Sequence, residues 1–511
     1  MRRCRFARGQ ILHTGHDCRP GSTGRLFCRD VVAQLAFCLL VTAGWGSFAQ
    51  AAELGMGFRI GEVTADSAVV WTRVTRDPHR AEGGFREPRK REPKSNEFVP
   101  PTVPVEDREG EMVGAVGEVR LKYGTQPDLA DGTTTDWFRV EAEHDFVHQF
   151  EVSGLQPATR YYVQIEARDP GASGGTATVS GEFGTPATAK NWQDVEFAVI
   201  TGQSYWDLDH PDGFNIYPAM RERDLDFVVP TGDTVYLDSE APRARTPELA
   251  RYHWHRMYSL PRHIELHRHV PGYWEVDDHD SWVNDCWPTM KANWMLPLTF
   301  DEGFAIYREQ VPLGSKPTHR TIRWGKGLQI WLVEGRLYRS PNRMADGPEK
   351  TIWGHEQRKW LMDSIVASNA DFKVLISPTP IVGPDRGAKA DNHANDAFRY
   401  EGDLFRQWTA EAGLTNLFVC CGDRHWQYHS IDPQSRLHEF SCGPVSNKHA
   451  GGSPGRDPEM QPFHRVKGGF LTVAVDRHEG LPRITFRHHD VQGEVVNEFV
   501  PSALAEGSSG N

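Results

Sequence analysis

Asp224-Leu-Asp-Phe-Val-Val-Pro-Thr-Gly-Asp-Thr-Val-Tyr236 decides the architecture of most of this chain. Phe227, Val228 and Val229 form an apolar run too short for a helix and of the kind carried by a strand buried on both faces. Gly232 then lets the backbone turn, and Asp233 leaves the carboxyl end of that strand. Similar runs recur at 195–200, 328–333, 373–376 and 416–421, with helical stretches at 356–367 and 398–412 between them. Strands alternating with helices predict a layered α/β domain, and such domains bind ligands beyond the carboxyl ends of their strands. The polar text falls at those ends: Thr201-Gly-Gln-Ser-Tyr-Trp-Asp207, Thr231-Gly-Asp-Thr-Val-Tyr236, and Cys421-Gly-Asp-Arg-His-Trp426. Near 468–486 and 495–500 the chain returns to β-rich text, expected to close a second sheet.

Upstream, from Met56 to about Thr185, short alternating segments at 67–72, 119–123 and 146–152 are broken by turns. Leu155-Gln-Pro-Ala-Thr-Arg-Tyr161 resembles the corner of fibronectin-type sandwiches, where a Tyr hydroxyl ties back to the backbone. Between Arg76 and Gly114 lies a Pro-, Glu- and Arg-rich insertion without periodicity, read as a long solvated loop of mixed charge. The first 51 residues read as a signal peptide. They hold an Arg-rich start, an apolar run from Val31 to about Trp45 that is short for a membrane span, and a small-x-small site at Ala49-Gln-Ala51. The expected division is therefore a leader at 1–51, a β-sandwich at 52–188, the α/β domain at 189–503 and a disordered tail at 504–511. The mature protein is expected outside the cytoplasm, periplasmic or extracellular, with no transmembrane segment once the leader is removed.

The 511-residue chain carries a net charge of −12. Seven Arg and two Asp fall within residues 1–51, which leaves 50 basic against 67 acidic residues downstream. Such a surface excludes bulk binding to nucleic acid or anionic membrane, so an anionic substrate needs a local positive charge, most simply bound metal. The four cysteines beyond the leader, Cys286, Cys420, Cys421 and Cys442, are too few and scattered for a disulfide framework, and no CxxC pair offers a structural zinc site.

Three motifs carry candidate chemistry. Asp233 at a strand end can bridge two cations through its two oxygens, although Gly-Asp alone is better explained by a turn. In Val276-Asp-Asp-His-Asp280, followed by Asn284 and Asp285, adjacent carboxylates flank a histidine; repulsion makes this costly in a plain acidic loop and sensible around a cation. Asp423 and His425, at i and i+2 after a strand, project the same way and suit one metal, the alternative being a histidine packed beside Trp426. Order and spacing resemble the metallophosphoesterase layout, and more closely the alkaline phosphatase D family, whose later blocks read Asp-Asp-His-Glu and Gly-Asp-x-His. Glu334-Gly-Arg336-Leu-Tyr338-Arg339 and Gly354-His-Glu-Gln357-Arg-Lys-Trp360 belong to the same resemblance, which spans about 56–500, while Lys389-Ala-Asp391-Asn392-His393 points to one subgroup.

The resemblance implies helices packed on two mixed sheets behind a fibronectin-like sandwich, and hydrolysis of small-molecule or polymeric phosphate esters. It makes Asp233, Asp278, Asp423 and His425 metal ligands, with Tyr205 or Tyr236 as a phenolate ligand. His279 becomes the general acid, Arg336 a holder of phosphoryl oxygens, and iron(III) with calcium the metals. Three positions depart from the family. Gly202 stands where it has a Cys ligand, Asp280 replaces a Glu, and Glu334 replaces an Asp. Asp207 or Asp209 is expected either to fill the vacated position or to lie in a solvated loop. Two other readings are a secreted binding protein with a structural or inactive metal site, and a hydrolase of sulfate esters or lactones.

Overall fold

The run at 195–200 pairs in parallel with its neighbour: Val195–Ile200 lies beside Phe227–Pro230, with Phe197 opposite Phe227. Antiparallel strands Phe470–His478, Leu481–His489 and Val495–Phe499 extend the other edge into a five-stranded mixed sheet. In a second, seven-stranded mixed sheet, Leu328–Leu332, Phe372–Ser377, Leu417–Cys421 and His438–Cys442 are successive parallel neighbours. These coordinates are a computed structural model that describes residues 52–175 and 177–501, all within one compact unit. The expected leader and tail lie outside the described residues.

Alternation along each strand assigns side chains to opposite faces. Phe197, Val199 and Phe227 of the first sheet share an apolar cluster with Ile330, Val374, Phe418 and Phe440 of the second. The intervening residues Trp331, Leu375 and Val419 face the other way, onto Leu361 and Ile365 of helix His355–Ala367 and Phe405 of helix Arg399–Glu411. Ala198, Ile200 and Val228 likewise join a cluster with Trp254, Met257, Trp274 and Phe304. Burial on both faces is why these strands read as unbroken apolar runs.

Upstream, Phe58–Gly61, Ser67–Arg73 and Val147–Ser153 form one antiparallel sheet, and Gly117–Gly124, Arg160–Arg168 and Ala177–Gly184 form the body of another. Phe58, Ile60, Val70, Val119, Leu121, Val163 and Ile165 share their core. At the tyrosine corner the Gln156 backbone N–H donates to the Tyr161 hydroxyl oxygen at 2.8 Å.

The sequence reading is corrected in two places. Helices Pro247–Tyr258, Pro261–His267 and Phe300–Gln310 were not anticipated. In the first, Thr246 caps the N-terminus and Pro247 opens it, but buried His253, His255 and Arg256 interrupt any apolar period. The insertion at 76–114 is not simply a solvated loop. The Arg243 guanidinium donates to the Glu92 and Pro93 carbonyls at 2.6 and 3.0 Å, and that of Arg245 to the Ser95 and Glu97 carbonyls at 3.2 and 2.7 Å. Tyr252 donates to the Glu109 carbonyl at 2.9 Å. Main-chain carbonyls that accept these bonds are invisible to residue type, so mixed side-chain charge does not predict this docking.

A buried ionic network joins the insertion, the sandwich and helix Pro247–Tyr258. Arg73 pairs with Asp145 at 2.9 Å, and His255 lies 2.7 Å from Asp145 and 2.9 Å from Glu111. Burial and the Arg73 charge lower the His255 pKa, but Asp145 and Glu111 outweigh them and hold it above 6.5. Protonated His255 therefore contributes stability that is fully present below the ordinary imidazole value and is lost as pH rises through the raised one. In urea unfolding measured across pH, His255→Gln should remove this alkaline decline. Arg73→Met, which strips a buried carboxylate of its partner, should cost about 3–5 kcal/mol at neutral pH.

Candidate metal centre

The three motif loops meet because two glycines let them. A Cβ on Gly232 would stand 2.3 Å from the Asp277 Cβ, and one on Gly422 would stand 2.3 Å from the Thr231 Oγ1. The residue after each glycine, Asp233 and Asp423, adopts left-handed backbone with φ of 52° and 57°. Aspartate tolerates that conformation better than most residues, but it remains a local cost of the kind stored at functional sites.

Asp233 lies at the centre. Its Oδ2 accepts a hydrogen bond from Tyr236 at 3.0 Å and lies 3.3 Å from His425 Nε2, whereas its Oδ1 is buried and accepts nothing. Asp233, Asp278 and His279 place ligand atoms within 4.8 Å of one another. Burial would raise the Asp233 pKa, but the charges of His279, His425 and His449 hold it far below the usual carboxylate range. A buried carboxylate with an unused oxygen beside a second carboxylate fits a cation, which would take the free lone pairs.

On one flank, helix Asp278–Ser281 presents Asp278 and His279, the Asp278 carboxylate accepting from the His279 and Asp285 backbone N–H groups at 2.7 and 2.6 Å. His279 Nδ1 lies 2.6 Å from Asp238 Oδ1. Burial lowers the His279 pKa, yet Asp238, Asp278 and Asp233 together raise it well above 6.5. On the other flank, the Tyr236 hydroxyl lies 3.3 Å from His425 Nε2 and 2.8 Å from His449 Nε2. Burial, then the His449 charge, pushes the His425 pKa down to about 4. Burial and the Asp233 charge raise the Tyr236 phenol well above its usual value, so a phenolate there needs a cation beside it.

Several expected site residues stand elsewhere. Tyr205 is turned away: its hydroxyl donates to Glu109 at 2.7 Å and receives Arg80, both from the insertion. Of the two phenols, Tyr236 alone faces Asp233. Arg336 has no exposed surface, and its Nε donates to Asp277 Oδ1 at 2.7 Å, so it braces the Asp277-Asp278 turn and does not reach out to grip a phosphoryl group. Asp423, like His425, is outside the three-residue ligand group; it lies against buried Arg424, and its Oδ2 accepts no hydrogen bond. Asp209 accepts from the Asn215 backbone N–H at 2.8 Å, ahead of helix Ile216–Arg221. Asp207 Oδ2 lies 2.8 Å from His449 Nδ1, behind that ring and not at the centre itself. Lys389 and Asp391 form an adjoining network in which Lys389 Nζ reaches Asp285 at 2.7 Å and Asp391 at 2.9 Å.

Sequence reasoning missed His449 and the role of Asp238. Asp238 was visible as the second aspartate of the Thr231–Asp238 stretch. His449, in Ser446-Asn-Lys-His-Ala-Gly-Gly452, carried no spacing signal, because only the loop after His438–Cys442 brings it back.

The profile of the PhoD-like phosphatase family matches residues 197–495, and that of the PhoD-like phosphatase N-terminal domain matches 42–187. The chain belongs to this family. Alkaline phosphatase D of Bacillus subtilis (strain 168) is 23% identical over 411 residues, a match covering 72% of this chain and 64% of the relative. This PhoD-like chain thus spans under two thirds of the relative's length. In three dimensions it is similar to a solved structure of PhoD, with a TM-score of 0.67 and 17% identity over 88% of this chain and 89% of the other. It is also similar to the purple acid phosphatase PPD1 of yellow lupin (Lupinus luteus) seeds, with a TM-score of 0.56 and 12% identity over 87% and 73%. At these identities the likeness concerns the fold, an assembly of sheets with few helices.

In this PhoD-like site, truncating Asp277 should be worse than removing its ion pair. Asp277→Ala leaves a buried guanidinium short of its partner and should cost about 3–5 kcal/mol in denaturant unfolding, whereas Asp277→Leu combined with Arg336→Met should recover part of that loss.

Proposed function

We propose that this chain is a metal-dependent phosphoric ester hydrolase whose cations would be held around the Asp233 carboxylate. The observation that carries the reading is that carboxylate itself, with one oxygen unused and a different set of donors on each flank. Cations held there would polarise the phosphoryl oxygens and lower the pKa of attacking water. Asp233 and Asp278 offer hard oxygens that suit calcium, while Tyr236 and His425 suit a transition ion such as ferric iron. His279, protonated and fixed through Nδ1 to Asp238, is the general acid that gives its proton to the leaving alcohol. Asp238 keeps that ring in one orientation and stabilises its positive charge. Arg336 acts indirectly, by fixing the turn that carries Asp278. The substrate is a small-molecule or polymeric phosphate ester, drawn to the bound cations despite the chain's net charge of −12.

The same reading includes export after removal of a leader ending near Ala51, a domain boundary near 188 and helices layered on two mixed sheets. Among the described residues no helix is long and apolar enough to cross a membrane. Export is checked by N-terminal sequencing of protein recovered outside the cytoplasm, which should begin near Ala52.

Prolonged chelation should abolish hydrolysis of phosphomonoester and phosphodiester probes, and metal addition should restore it. Asp233→Asn should keep its circular dichroism spectrum and lose both metal and activity; full activity in metal-free protein rules out the mechanism. His279→Ala should lower kcat by about 10²–10⁴-fold with metal retained, since proton transfer supplies about that factor. Loss of metal in that variant would assign His279 to ligation.

A further inference from the structure

We propose that His449 occupies the ligand position that Gly202 leaves without a side chain, with Asp207 as the carboxylate that sets its ring. This deepens the metal-dependent reading and rests on it. Gly202 has φ of 65°, and a Cβ there would lie 3.1 Å from the Pro444 Cβ and 3.3 Å from the His425 Cδ2. Any side chain at 202 would therefore be strained and would crowd His425. The space beside His425 is reached from another direction, by the loop that follows Pro444. His449 comes from that loop, and its ring centroid is 4.1 Å from that of His425.

The hydrogen bonding points the same way. His449 Nδ1 lies 2.8 Å from Asp207 Oδ2, and Asp207 is buried and acceptor-only, so a neutral ring in this place carries its proton on Nδ1. Nε2 is left as a lone pair, 2.8 Å from the Tyr236 oxygen. That oxygen also lies 3.0 Å from Asp233 Oδ2 and 3.3 Å from His425 Nε2. Asp233 Oδ2, His425 Nε2 and His449 Nε2 all lie within 3.3 Å of the Tyr236 oxygen, a set of donors that a cation beside that oxygen would draw together. A carboxylate behind the far nitrogen is the usual way a ligating histidine is held in its tautomer. Asp207 is accordingly a positioning residue, and the thiolate of the resembled family is replaced by an imidazole, a harder donor that still favours a transition ion.

The test is metal content by mass spectrometry and the visible absorption of purified, folded protein. Wild type should carry two cations per chain, one of them a transition ion whose bond to Tyr236 gives a charge-transfer band. His449→Ala should lose the transition ion and the band while keeping the other cation. His449→Cys, which restores a donor, should retain both metals with a shifted band, and so keeps the idea falsifiable if the alanine variant misfolds. Asp207→Asn should weaken transition-metal affinity about 10–100-fold. Unchanged stoichiometry and band in His449→Ala or His449→Cys would overturn the assignment. Wild-type protein without stoichiometric metal would instead remove the underlying reading, and this assignment with it.

Discussion

A carboxylate buried from water with one oxygen unused is the constraint around which this fold is organised. Taking Asp233 out of solvent carries a penalty of several kcal/mol unless charge is placed against it. The chain answers with three imidazoles and a phenol drawn from four separate loops. Bringing those loops together requires Gly232 and Gly422, because a β-carbon at either would strike the next loop. It also requires left-handed backbone at Asp233 and Asp423. The site is thus bought with strain that the flanking double-sheet core must hold, and substitutions that relax it would stabilise the protein and blunt its chemistry.

The two flanks repeat one device. Asp238 stands behind the Nδ1 of His279, and Asp207 behind the Nδ1 of His449. Each carboxylate comes from the loop after one of the two parallel strands, Phe227–Pro230 and Val195–Ile200. Adjacent strands thereby deliver equivalent braces to opposite sides of Asp233. The outcomes differ because the neighbours differ. Three carboxylates crowd His279 and favour its proton, while burial and the neighbouring His449 push the His425 pKa down to about 4.

The strands and the strand-end motifs were legible in sequence because burial on both faces writes an unbroken apolar run, and because Gly-Asp pairs mark the turns. Asp233 lies beside Asp278 on one side and 3.3 Å from His425 on the other. What was illegible depends on contacts between distant segments. The direction taken by Tyr205 is set by Glu109, 96 residues away, and the part played by His449 by Asp207, 242 residues away. Arg336 sits in a recognisable motif, but residue type does not distinguish a guanidinium that meets solvent from one sealed onto Asp277. Helix Pro247–Tyr258 escaped because its polar residues are buried in ion pairs and its pattern lacks a dry face.

The stretch at 92–97 of the insertion is held by guanidinium groups gripping its main-chain carbonyls. Arg243 and Arg245 take hold of the backbone at Glu92, Pro93, Ser95 and Glu97 whatever side chains those positions bear. The route of that stretch is consequently encoded in the segment it covers more than in its own side chains. Relatives could exchange most residues of this strap by drift and keep its path, so that an alignment would score as a free linker a segment whose course is fixed.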